Sequence, residues 1–213
     1  MNWKRKFLAS DEEEKIENKI KAFESNTGSE LVLCIAKSSD QYPAAILRFA
    51  VILSFICSFC ISFYFEFEFS FYPIILQFLF FVFFAFIGKL KFLKKYFLST
   101  VEVLREVDEK SIEVFYLLGS SQDHNGHILL YISLLERKIK LLVGKKIAQQ
   151  MTQEELNEMV LMLQGEFKQK HFFTGLSRSI ELLEAQIKKY FPEKVIQNLP
   201  NQIENRIFWQ DFT

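Results

Sequence analysis

The sequence predicts an α/β fold: a small mixed β-sheet flanked by helices, with an inserted two-helix transmembrane hairpin. Three observations carry this reading. Two uncharged apolar runs, residues 49–65 and 71–88, are separated only by EFEFS. A continuous apolar segment rich in strand formers, Glu30–Ala36, precedes them. Two further strand-like segments, His127–Ser133 and residues 137–143, follow with a tight connection between them.

The first helix is expected from Ser10, with Glu13 three residues on at capping-box spacing. Ile16, Ile20 and Phe23 then recur on one face. Asp11, Glu12, Glu13 and Glu14 crowd the first turn, where the helix dipole favours negative charge. Asn26-Thr27-Gly28 ends it, and ELVLCIA at 30–36 reads as a buried strand. A loop, Ser38-Ser39-Asp40-Gln41-Tyr42, leads to Pro43 in the first turn of the first span.

The run at 49–65 holds ten Phe, Ile, Leu or Val residues, and beyond Arg48 the uncharged residues 44–47 extend it back toward Pro43. Each such residue favours insertion by roughly 0.3–0.6 kcal/mol near the helix centre. Fourteen of the 25 phenylalanines lie between residues 49 and 86, so the hydrophobicity is concentrated in this one insert. The rest, about 165 residues, suffices for a globular domain with its own core. Lys89, Lys91, Lys94 and Lys95 follow the second run, and Arg48 stands at the start of the first. The connecting loop has no Lys or Arg, so the positive-inside rule places both termini in the cytoplasm. Arg48 is expected to snorkel to the interface.

An amphipathic helix is expected over 90–118, with Val103, Val107, Ile112, Val114, Phe115 and Leu118 inward. Residues 120–126 make a polar turn. In the following hairpin Lys138 and Lys140 alternate with Ile139 and Leu141, the period of a half-exposed strand. Thr152 and Glu155 form a second capping box, opening a helix to about Gln169. Gly175 precedes a last helix to Phe191, and the tail after Pro192 is expected to be irregular. The domain organisation is therefore 1–42, a first part of the α/β domain; 43–88, the membrane hairpin; 89–192, the remainder of the domain; and 193–213, a tail. The first two strands should pair in parallel through the helical crossover, and the third should turn back antiparallel.

Formal charge balances at zero, which argues against nucleic acid as a partner. Cys57 and Cys60 match C-x-x-C spacing but stand inside the first span, where they read as small packing residues rather than a redox pair, and Cys34, in a core strand, reads as a reduced thiol. The N-terminal segment lacks the apolar core and cleavage site of a secretory signal. There is no P-loop, no G-x-S-x-G, no H-E-x-x-H and no glycine fingerprint for a cofactor. The candidates for chemistry are few. Asp123, His124, Asn125 and His127 are the only dense cluster of acid–base groups and ligands. Asp40 lies at the carboxyl end of a parallel strand, where open sheets tend to bind ligands, with Ser38 and Ser39 beside it. Asp40, Asp123 and His124 are the catalytic candidates; Asp40, Asp123 and His127 are the metal candidates. Glu136-Arg137 at the hairpin tip could bind a partner or an anion, and reads first as a turn carrying a solvated ion pair.

Three segments in order resemble the TPM domain family, also called TPM phosphatase. They are TGSELVLCIAKSSDQYPAA at 27–45, NGHILLYISLLERKIKLLVGKKIA at 125–148 and FFTGLSRSIELLEAQI at 172–187. The resemblance implies a bacterial membrane branch of that family that carries a pair of spans after the first strand. It also implies that some members are acid phosphatases and others accessory membrane proteins. One departure stands out: an aspartate expected after the third strand is here Gly144, followed by Lys145 and Lys146, which removes one acidic ligand. The expected function is a membrane-anchored interaction or regulatory module at the cytoplasmic face of a bacterial inner membrane. Its partners would be the bilayer and another membrane or membrane-associated protein. The alternative is a divalent-cation-dependent acid phosphatase using calcium or magnesium.

Overall fold

A computed structural model of the chain describes residues 3–64, 71–88, 98–118, 126–193, 195 and 206–211. The chain divides into two compact units, Met1–Ser39 with Glu106–Thr213, and Asp40–Arg105.

The first unit is built on one sheet. Its strands β1 (Glu30–Ala36), β2 (His127–Ser133), β3 (Lys138–Val143) and β4 (Phe208–Gln210) lie in the order β3-β2-β1-β4. β1 and β2 are parallel, from Glu30 opposite His127 to Ala36 opposite Ser133, and β3 returns antiparallel to β2, as the sequence predicts. Both central strands are buried at every position, which is why each reads as an unbroken apolar run. Alternation then sorts their side chains. Leu31, Leu33, Ile35, Ile128, Leu130 and Ile132 join one core cluster. Val32, Cys34, Ala36, Leu129 and Tyr131 join the other.

Helices cover both faces. α1 (Trp3–Phe7), α2 (Ser10–Thr27), α7 (Gln153–Lys168) and α8 (Phe172–Tyr190) bury Phe7, Ile16, Leu163 and Ile180, among others, in the first cluster. Val107 and Val114 of α5 (Thr100–Leu118) close the second. A short α6 (Lys145–Ala148) follows β3. Capping fixes several ends. Gly28 takes a left-handed φ of 66° and its N–H closes α2 on the Glu24 carbonyl at 2.9 Å. Thr152 and Glu155 make the expected reciprocal box at the start of α7.

Several expectations need correction. At the start of α2 the box is displaced by one residue: Glu12, not Glu13, accepts the N–H of Ala9, at 2.9 Å, and Ser10 is already helical. Gly175 lies inside α8 rather than before it, because the helix passes so close to α7 that a Cβ there would stand 2.9 Å from the Glu166 Cβ. Ile112 points outward, and Ser111 takes the buried place between Val107 and Val114. Arg137 belongs to the turn before β3, with φ 55°. The tail contributes β4, which pairs Cys34 with Phe208 and Ala36 with Gln210 in parallel. A three-residue strand is too short to show alternation. The part of the 90–118 expectation before residue 98 lies outside the described residues.

In the second unit α3 (Pro43–Tyr64) and α4 (Tyr72–Ile87) pack as a helical hairpin. Phe49 meets Phe84 edge-on with centroids 6.0 Å apart, and the Ser58 hydroxyl donates to the Pro73 carbonyl at 3.0 Å. Ala50, Ser54 and Ser58, four residues apart, are buried, the small-residue stripe that lets membrane helices approach. Phe55, Phe59, Phe63, Ile74, Phe78 and Phe86 are exposed. Among the described residues one helix, α3 with 22 residues, is long and apolar enough to cross a membrane; α4 has 16. The two-span expectation is thus met in length by its first member. Near the start of α3 the Arg48 guanidinium donates to the Glu102 carboxylate, which holds that acid below the usual range.

Candidate functional site

Parallel pairing of β1 and β2 places their carboxyl ends side by side, with Ala36 opposite Ser133. The chain leaves β1 through Lys37, Ser38 and Ser39, and leaves β2 through the turn Leu134–Arg137. The two exits converge on one carboxylate. Glu136 Oε1 accepts the Ser38 hydroxyl at 3.1 Å and the Ser39 N–H at 3.0 Å. Its other oxygen accepts the Ser133 hydroxyl. The Ser39 hydroxyl donates to Ser133 Oγ at 3.0 Å and lies 3.0 Å from the Tyr131 hydroxyl. Tyr131 is buried, and loss of solvation raises its phenol above the ordinary value, so it stays a proton donor at neutral pH. Ser38, Ser39 and Ser133 are buried as well. The solvated ion pair expected of Glu136 and Arg137 is therefore corrected: Glu136 turns inward as the hub of a hydroxyl network. Chemically this arrangement locks two loops together, since its hydroxyls are engaged with Glu136 and with one another.

Asp40 follows in the chain. Its Oδ2 accepts the N–H of Tyr42 at 2.9 Å, the local turn that Asp side chains form, and Tyr42 takes a left-handed φ of 53°. His127 opens β2 at the other end of the strand pair. Its Nε2 meets the carboxylate of Glu30, its register partner, with the two side chains 4% and 1% exposed. The carbonyl of His127 accepts the N–H of Gly144 at 2.7 Å, so the residue that departs from the expected aspartate stands beside this pair. Asp123 and His124 lie outside the described residues. Among the described residues no three His, Cys, Asp or Glu side chains come together as a cation site. Asp40 lies in the loop after β1 and His127 at the first position of β2, each with the hydrogen-bond partner just given.

Sequence reasoning picked out Ser38, Ser39 and Glu136 singly but missed their union, and it missed Tyr131, Ser133 and Glu30 altogether. The available signal for Glu30 is an acid at the first position of an otherwise apolar buried strand, a place that calls for a partner.

Comparison with known proteins fits this architecture. No curated protein matches the sequence. A solved structure with the same fold is the NMR structure of the BA42 protein from the psychrophilic bacterium Bizionia argentinensis, 17% identical, with a TM-score of 0.56 over 95% of each chain. The TPM domain model matches residues 97–186, the stretch that contains α5, β2, β3, α6, α7 and most of α8.

Proposed function

We propose that the chain is a membrane-anchored TPM-like binding module, of the branch with a spanning hairpin, and that its α/β unit engages another membrane or membrane-associated protein at the cytoplasmic face. The observation that carries this reading is the surface of α3. Its 22 residues include one charge, Arg48, near the start, and most of its large apolar side chains face outward rather than into a core. A helix of that length reaches about 33 Å, enough for a hydrocarbon core of about 30 Å. α4 is shorter, about 24 Å, a mismatch that local thinning or tilt of its neighbour can absorb. The lysines after residue 88 support cytoplasmic termini.

Alkaline carbonate extraction of membranes from expressing cells tests the anchor. Retention in the pellet is expected; release into the supernatant would remove the reading. A C-terminal alkaline phosphatase fusion, active only after export, should stay silent. The acid-phosphatase alternative has Asp40, Asp123 and His124 as its candidates. Hydrolysis of a phosphate ester by the purified chain with calcium or magnesium, lost in Asp123→Asn, would favour it instead.

A further inference from the structure

A groove of about 650 Å³ opens on the α/β unit, within the range of small-molecule sites. Its apolar lining is preassembled. Phe7 stacks on Phe172 at 4.4 Å, and Phe167 meets both rings edge-on at 5.5 and 5.2 Å. Trp3, Ile132 and Ile139 extend the surface. Five cations stand around it: Lys6, Arg137, Lys138, Lys168 and Lys170. No acidic residue lines it, and among the described residues none of the five has a carboxylate within ion-pair reach. Elsewhere on this unit exposed lysines do find acids, as Lys19 finds Glu181 and Lys188 finds Glu184.

Two of the cations have a further peculiarity. Arg137 and Lys170 take φ values of 55° and 64°, a region that side-chain-bearing residues rarely adopt. Of the three such non-glycine residues among those described, two thus lie on this groove. Arg137 is also the neighbour of Glu136, whose bonds to Ser38, Ser39 and Ser133 fix the turn that presents it. Like charges gathered beside an apolar, weakly polarisable surface repel one another, and an anion that enters relieves this. The rings ask for an apolar body on the same molecule.

We infer that this groove binds a small organic anion, with an aromatic or aliphatic body against Phe7, Phe167 and Phe172 and a phosphate-like or carboxylate head among Arg137, Lys170 and the neighbouring lysines. The site adjoins the network around Glu136, with which it shares Ser133, and does not depend on the membrane reading.

The test is isothermal titration calorimetry on the full chain in maltoside detergent, with matched detergent in both solutions. The probe is 1-naphthylphosphonate, which cannot be hydrolysed to release phosphate. Inorganic phosphate supplies the charge alone and 1-naphthol the ring alone. Naphthylphosphonate should bind at least about tenfold tighter than either and weaken severalfold when salt rises from about 50 to 500 mM. Arg137→Gln with Lys170→Gln, and separately Lys6→Gln with Lys168→Gln, should each weaken it by about tenfold, while Lys21→Gln leaves it unchanged. Equal binding of 1-naphthol, equal binding of inorganic phosphate, or full affinity in both paired variants would overturn the assignment. So would capture of the chain by phosphatidylglycerol vesicles through the same cations without any binding of naphthylphosphonate, which would make the groove part of a lipid-facing surface.

Discussion

Glu136 holds Ser39 across 97 residues of sequence: its Oε1 accepts the Ser39 backbone N–H at 3.0 Å while also taking the Ser38 hydroxyl. One side chain thereby ties the exit of β1 to the exit of β2. Removing it strands a buried N–H and buried hydroxyls, and each orphaned group costs about 1–3 kcal/mol. Glu136→Ala is expected to lower the unfolding free energy by about 2–3 kcal/mol, net of partial rearrangement. Glu136→Gln keeps one acceptor oxygen and should lose about half as much. Denaturant unfolding of both variants checks this; an alanine variant as stable as the parent would show that the loops hold without the network.

Two glycines on neighbouring helix surfaces should respond with opposite sign. A Cβ on Gly175 would stand 2.9 Å from the Glu166 Cβ, 3.1 Å from Leu163 Cδ1 and 3.3 Å from Phe167 Cε1. Gly165, inside α7, has nothing within 4 Å of the same position. Alanine gains about 1 kcal/mol over glycine in a helix interior. Gly165→Ala should therefore stabilise by about 0.5–1 kcal/mol. Gly175→Ala forces α7 and α8 apart, at about 1–3 kcal/mol for overpacking, so its net effect is a loss. Thermal melts of the pair decide the matter, and a stabilising Gly175→Ala would mean that the two helices separate freely.

These glycines also show where sequence reading reaches. β1, β2 and β3 and the Thr152 box announce themselves locally, through an apolar run, an alternation or a four-residue capping pattern. Gly175 looked like a helix boundary because glycine usually is one; its true reason is the proximity of Glu166 and Leu163, which no local pattern encodes. The same holds for Glu136 with Ser39, and for Glu30 with His127, pairs that meet only because β1 and β2 are in register. β4 escaped because Phe208-Trp209-Gln210 is too short for a period. The groove was invisible for a further reason. Lys6, Lys138, Lys168 and Lys170 carry no local signal, Arg137 reads as a hairpin-tip residue that could meet an anion, and only the fold gathers them.

β4 bears directly on Cys34. The thiol is fully buried, pairs with Phe208 across the strands and lies 3.5 Å from the Gln210 amide oxygen. Burial pushes it up to about 12. The thiolate is the reactive form, so Cys34 should resist iodoacetamide at pH 8 in the native protein. In a background with Cys57→Ala and Cys60→Ala, deletion of residues 206–213 should speed its alkylation by about tenfold or more, because the solvation of the thiolate is restored. Mass spectrometry of the peptide that contains Cys34 reads the rate. Unchanged protection after the deletion would show that β4 does not cover the thiol.

Acid should weaken the α7–α8 pair through Glu155. Its carboxylate accepts the Tyr190 hydroxyl, then the Thr152 N–H at 2.9 Å, and these bonds hold it below the usual carboxylate range. Glu181 is shifted the same way, chiefly by its hydrogen bond from Lys19. A carboxylate with a depressed folded-state pKa contributes stability that is fully present above its unfolded value, about 4.3 for Glu, and lost as pH falls through the folded one. Stability should therefore be flat in these groups from pH 7 to about 5 and then decline toward pH 3. Glu155→Gln cannot titrate, so it should be less stable than the parent at pH 7 and converge on it in acid. Urea midpoints of both proteins at pH 7, 5, 4 and 3 test this. Parallel curves would mean that Glu155 titrates alike in the folded and unfolded chains, and that its bonds to Tyr190 and Thr152 form as well with a neutral side chain.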